Sequence, residues 1–167
     1  MQRLWHPDIL ACMSEKEEKI RVIVTNRKAF RDYEIIDRRE AGISLVGTEV
    51  KSLRAGKVNI SDSYASVEEG EVILHNLHIS QYEQSARTNH DPTRPRRLLL
   101  HKREIRKLFT ATAEKGFTLV PLKIYFKGAR VKIELALARG RKKYDKREIM
   151  AKKEADRAMQ RAKKKNL

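Results

Sequence analysis

The sequence predicts an α+β fold that is mainly β: a closed barrel with accessory helices and a basic C-terminal tail. Three observations lead there. About seven short β-branched or alternating runs are separated by turn residues, only two segments show helical periodicity, and no regular βαβ alternation orders them. With 167 residues and 40% apolar content, the chain supports one core. One domain is expected over residues 20–138, preceded by a disordered extension at 1–19 and followed by a tail at 139–167. Translation starting at Met13, ahead of Ser14-Glu15-Lys16, would leave 1–12 as part of that extension.

Residues 20–25 form an apolar, β-branched run ending in Asn26, and 33–37 and 43–46 are two further short apolar runs; all three read as strands. Gly47 and Thr48 open Glu49-Val50-Lys51-Ser52-Leu53-Arg54, a short helix with Gly56 behind it. Residues 63–67 and 72–75 flank Glu68-Glu69-Gly70-Glu71, a hairpin turn with glycine where a positive φ is needed. Residues 77–82 continue as strand. Residues 84–97 have no periodicity, contain two prolines, and carry Arg87, Arg94, Arg96 and Arg97; a loop of that length is functional more often than idle.

Residues 101–115 place Ile105, Leu108, Phe109 and Thr112 on one helical face and Lys102, Arg103, Arg106 and Lys107 on the other. Gly116 ends this helix, and Glu104 faces the open amides of its first turn. Two long strands close the body. Val120, Leu122, Ile124 and Phe126, then Val131, Ile133, Leu135 and Leu137, are predicted to face the core, with Pro121 marking an edge. An OB-like barrel accommodates this set.

The net charge of +16 with a pI near 10.1 calls for a polyanionic partner, nucleic acid before an anionic membrane. The excess is uneven: residues 139–167 carry +9, leaving +7 for the rest. Ala151, Ala155, Ala158 and Ala162 fall at helical spacing there, beside Met159, but alanines offer little area for docking on the body or in a membrane. The tail is therefore expected to be disordered when free and to become helical once phosphates neutralise it.

Cys12 is the only cysteine, which excludes an intrachain disulfide and a thiolate zinc site and fits a reducing, cytoplasmic setting. No signal peptide or membrane span is apparent. Phosphate-loop, nucleophile-elbow and zinc-helix motifs do not occur, and the five histidines never gather with carboxylates at ligand spacing. No enzyme, metal or cofactor is expected.

Several of these segments resemble the SmpB family of SsrA-binding proteins. The resemblance is carried by Asn26-Arg27-Lys28-Ala29, Glu40-Ala41-Gly42-Ile43, Gly47-Thr48-Glu49-Val50-Lys51-Ser52-Leu53-Arg54-Ala55-Gly56-Lys57 and Ile60-Ser61-Asp62-Ser63-Tyr64. Asp91-Pro92-Thr93-Arg94, Leu98-Leu99-Leu100-His101-Lys102 and Gly140-Arg141-Lys142-Lys143-Tyr144-Asp145-Lys146-Arg147 continue it in order. The resemblance implies an OB-like body that holds unpaired nucleotides in the tRNA-like part of transfer-messenger RNA. It also implies delivery of that RNA to stalled ribosomes for trans-translation, with the tail in the empty mRNA path near the decoding centre.

By the same resemblance, Asn26, Arg27, Lys28, Glu40, Leu99 and His101 meet the RNA, and Arg94, Arg96 and Arg97 supply phosphate contacts. Leu99 is equally readable as core, and Glu40 as the partner of a neighbouring arginine. In the tail, Gly140, Lys142, Lys143, Tyr144, Asp145, Lys146 and Arg147 correspond to ribosome-binding residues. The expected partners are transfer-messenger RNA and small-subunit ribosomal RNA, met by a monomer. The rival reading is a structural RNA-binding protein associated with the ribosome.

Overall fold

Every strand of the main sheet is antiparallel to its neighbours, and the sheet's last strand bonds back to an early one, so it closes on itself. The computed structural model describes residues 20–82 and 90–141, together with Met159. The expected N-terminal extension, residues 84–89 of the expected loop, and tail residues 142–158 and 160–167, with the expected ribosome contacts at 142–147 and the expected tail helix, lie outside the described residues.

The elements run β1 (Ile20–Thr25), α1 (Arg27–Asp32), β2 (Tyr33–Ile43), α2 (Gly47–Arg54), β3 (Val58–Asn59), β4 (Tyr64–Glu68) and β5 (Glu71–His75). They continue with β6 (His78–Ile79), β7 (Arg96–Leu99), α3 (Lys102–Lys115), β8 (Thr118–Lys127) and β9 (Arg130–Gly140). The sheet order is β1-β8-β4-β5-β7-β2-β9, and pairing of β9 with β8 closes a ring to which β1 is appended. β3 and β6 form a separate two-stranded ladder. The architecture is the OB-like barrel with accessory helices that the sequence predicts. Ile43, Leu53, Leu74, Leu98, Leu119, Ile124 and Ile133 belong to its buried core.

The turn chemistry follows the residues. Glu69 and Gly70 both have positive φ, 48° and 78°, as a two-residue type I′ hairpin between right-twisted strands requires. Gly116 closes α3 in the left-handed region, where a side chain would be strained. The Glu104 carboxylate accepts the His101 amide at 3.0 Å, fixing the start of α3.

Five expectations need correction. The run at 33–37 continues through Ile43 as one strand, β2, because residues 37–42 pair with β9 throughout, and residues 44–46 of the second expected run lie beyond its end, leading into α2. The strand at 77–82 shrinks to His78–Ile79. Arg96 and Arg97 stand on β7 instead of a loop. Phe109 is 57% exposed instead of docked.

The fifth concerns β8, where the alternation does not persist. Leu122 is an extra residue between the pairs Pro121–Leu135 and Lys123–Glu134, and such a bulge flips the side-chain parity. Leu119, Ile124 and Phe126 therefore enter the barrel, while Val120 and Leu122 pack outside it against Ala29 and Ala136.

Helix α1 has no apolar periodicity to announce it. It begins because the Asn26 carboxamide oxygen accepts the Ala29 amide at 3.0 Å. Along β8's second edge, β4 pairs at Leu119 and β1 begins at Lys123, which leaves a gap at the expected Pro121 edge. Asn26 fills it: its amide donates to the Leu122 carbonyl at 2.7 Å and its side-chain nitrogen to Pro121 at 3.2 Å.

Candidate nucleic-acid interface

Strand period two sorts the expected contacts on β7. Arg96 and Leu98 point inward, Arg97 and Leu99 outward. Arg96 has no exposed side-chain surface; its guanidinium bonds Glu49 at 2.8 Å and donates to the Leu77 and Pro92 carbonyls. Arg94 clamps the same carboxylate at 2.6 Å. Burial of Glu49 favours its neutral form, but Arg94, the Val46 amide at 2.9 Å and Arg96 outweigh it and hold the carboxyl below its ordinary range. Arg96 thus fixes the base of β7 and presents nothing to a phosphate, contrary to its expected role. Asn26 is likewise buried, its polar atoms consumed by the helix cap and the β8 gap.

The outward residues converge. A groove of about 830 Å³ lies between β2, β7, the β4–β5 turn, β9 and the start of α3. Four expected contacts line it: Glu40, Arg97, Leu99 and His101. Leu99 is 52% exposed, so the core reading is excluded. Its strand partner is Gly42, whose missing side chain leaves room for it: a Cβ there would stand 3.1 Å from the Leu99 Cβ.

Glu40 is held at this groove by three donors. The Tyr125 hydroxyl donates to it at 2.5 Å, and Lys127 and Lys132 approach to 3.4 and 3.5 Å. The Tyr125 bond, followed by the lysines, keeps its carboxyl below the usual range. Burial, then Glu40 itself, pushes the Tyr125 phenol up, so the proton stays on the tyrosine. An ionised, fixed carboxylate accepts hydrogen bonds from the amino and imino groups of unpaired bases. Arg38, Arg97, Lys102 and Lys132 surround it with positive charge. The predicted pairing of Glu40 with an arginine is replaced by this tyrosine–lysine set.

Arg27 and Lys28 stand apart from the groove, exposed on α1. Lys28 pairs with Asp62 at 2.7 Å. Gly140 lies opposite Tyr33 at the end of β9, so the body extends two residues beyond the expected boundary at 138. Arg141 continues the attachment, its amide bonding Asp32 and its guanidinium the Tyr33 carbonyl at 3.0 Å.

A profile of the SmpB protein family matches residues 23–165, which includes every element of the barrel beyond the first half of β1. The chain belongs to the SmpB family. A protein of Carboxydothermus hydrogenoformans called SsrA-binding protein is 61% identical over 142 residues, covering 85% of this chain and 95% of that one. An SsrA-binding protein of Geobacillus thermodenitrificans is 59% identical, with coverages of 85% and 92%. A solved structure described as "tmRNA-SmpB: a journey to the center of the bacterial ribosome" aligns with a TM-score of 0.61 at 55% identity, covering 72% of this chain and 85% of that one.

Sequence reasoning missed Tyr125, Lys127 and Lys132, which fix the Glu40 carboxylate. One signal was present: Lys123, Tyr125 and Lys127 alternate along β8 opposite Ile124 and Phe126. Among the described residues, no three histidine, cysteine or carboxylate side chains gather to hold a metal, and no helix is long and apolar enough to cross a membrane.

Proposed function

We propose that this chain binds the tRNA-like part of transfer-messenger RNA through the Leu99 groove and delivers it to stalled ribosomes. The chain is an RNA-binding protein of trans-translation and not an enzyme; its partners are transfer-messenger RNA and the ribosome. One observation carries the choice of groove. An exposed leucine, a fixed carboxylate and a ring of cations meet on one surface, matching the apolar face, the edge donors and the phosphates of unpaired nucleotides.

Arg27, Lys28 and Arg97 add phosphate contacts; Arg94, tied to Glu49, acts by holding the segment before β7. Residues beyond Arg141, with Lys142, Lys143, Tyr144, Asp145, Lys146 and Arg147, form a separate cationic arm. It enters the mRNA path beside the decoding centre, where Tyr144 stacks on a ribosomal base. The work takes place in the cytoplasm.

The test is a truncation after Arg141, which keeps the complete β9 and its brace. It retains tight binding to the tRNA-like RNA at ~0.15 M salt and loses tagging on stalled ribosomes. Loss of both activities from a folded truncation would overturn the division between body and arm.

A further inference from the structure

Phe109 is the surface feature that the Leu99 groove leaves unused. On α3, Ile105 and Leu108 turn into the core, and the next residue presents a phenyl ring to water. That ring lines a second groove of about 660 Å³ between α3 and the β4–β5 hairpin, with Val67, Gly70, Ile105, Lys102 and Arg106 also on its walls. Glu69 is the one carboxylate among the lining residues described.

Gly70, Lys102 and Ile105 border both grooves, so the second is the continuation of the first across the hairpin turn. A ligand that leaves the Leu99 groove along α3 meets an exposed aromatic face with Arg106 and Lys102 three and seven residues back along the helix. Aromatic rings flanked by cations are the usual platform for an unpaired base and its phosphate. An apolar protein segment would meet instead the positive charge of Lys102, Arg103, Arg106 and Lys107, all exposed on this helix.

We infer that the second groove takes one unpaired nucleotide of the same RNA, its base stacked on Phe109 and its phosphate held by Lys102 and Arg106. The inference rests on the Leu99 groove being the RNA site. It adds a contact beyond those that the family resemblance assigns.

The test uses the full chain and the tRNA-like part of transfer-messenger RNA at constant salt. Phe109→Ala weakens binding about tenfold, the loss expected when one base loses its stacking partner. Because the ring is exposed, the melting temperature is unchanged. Phe109→Trp, made together with Trp5→Phe so that one indole remains, keeps parental affinity, and RNA quenches its fluorescence.

If Phe109→Ala binds like the parent while Leu99→Ala is weakened, the inference fails and the Leu99 groove stands. Phe109→Ala that keeps RNA affinity but loses ribosomal tagging assigns the groove to another partner, which also overturns it. A parent that ignores this RNA overturns the underlying reading as well.

Discussion

Glu49 and Glu40 each gather cations, one inside the body and one at its surface. Glu49 is 6% exposed and spends its oxygens on Arg94, Arg96 and a backbone amide. Glu40 keeps 38% of its side chain in solvent while Tyr125, Lys127 and Lys132 hold it in place. The inner cluster fixes β7; the outer one leaves acceptor capacity for a ligand. Both carboxylates fall in segments that resemble the family, but only the one the fold leaves at the surface has an oxygen to offer a ligand.

The sharpest break in this comparison is Glu49→Ala. It leaves the Arg96 guanidinium buried without its counter-charge, and denaturant titration is expected to show a loss of about 3–5 kcal/mol. A change within experimental error would mean that the cluster does not hold β7. Acid acts on the same group. The folded-state carboxyl of Glu49 lies below its ordinary 4.5, so the stability it supplies is complete above that value and drains away as pH falls through the folded one. In the Glu49→Gln variant, the slope of stability against pH below 4.5 is expected to flatten.

Glu40→Gln leaves the fold standing and removes a charged acceptor from the groove. Its expected cost is about 1.5–3 kcal/mol of RNA affinity, measured by filter binding, with the melting temperature nearly unmoved. Collapse of the fold instead would place Glu40 among the structural carboxylates. Leu99→Ala follows at about 1–2 kcal/mol of affinity, from apolar area that only the RNA covers. The smallest effect belongs to Gly42→Ala. Its methyl must displace Leu99 by a few tenths of an ångström, and Leu99 is free to yield toward solvent, so stability is expected to stay within about 0.5 kcal/mol and affinity to fall less than for Leu99→Ala.

Much of the body was legible because its signals are local. The Glu69-Gly70 turn, the Gly116 stop and the alternation of β9 each follow from a few adjacent residues. The misreadings share a different origin. The bulge at Leu122 inverts the inside and outside of β8, and nothing in the run Val120-Pro121-Leu122 records the register of the opposing strand. Helix α1 depends on one capping carboxamide over six residues, too few for a period to emerge. Arg96 looked like a phosphate ligand because the carboxylate that buries it lies 47 positions away in sequence. At the site, the resemblance pointed to Leu99, Glu40 and His101, and the fold gathered them, but the tyrosine and lysines behind Glu40 come from strands that only barrel closure brings there.

The floor of the Leu99 groove is also a narrow seam in the barrel wall. β7 meets β2 through Gly42–Leu99 and Ile43–Leu98, with the Ser44 amide donating to the Arg97 carbonyl just beyond, whereas β2 and β9 stay paired from Tyr33 to Gly42. A short seam therefore lies at the cleft itself. The jaws can adjust their gape to a bulky, irregular guest by straining these few rungs, while the long β2–β9 seam keeps the barrel shut.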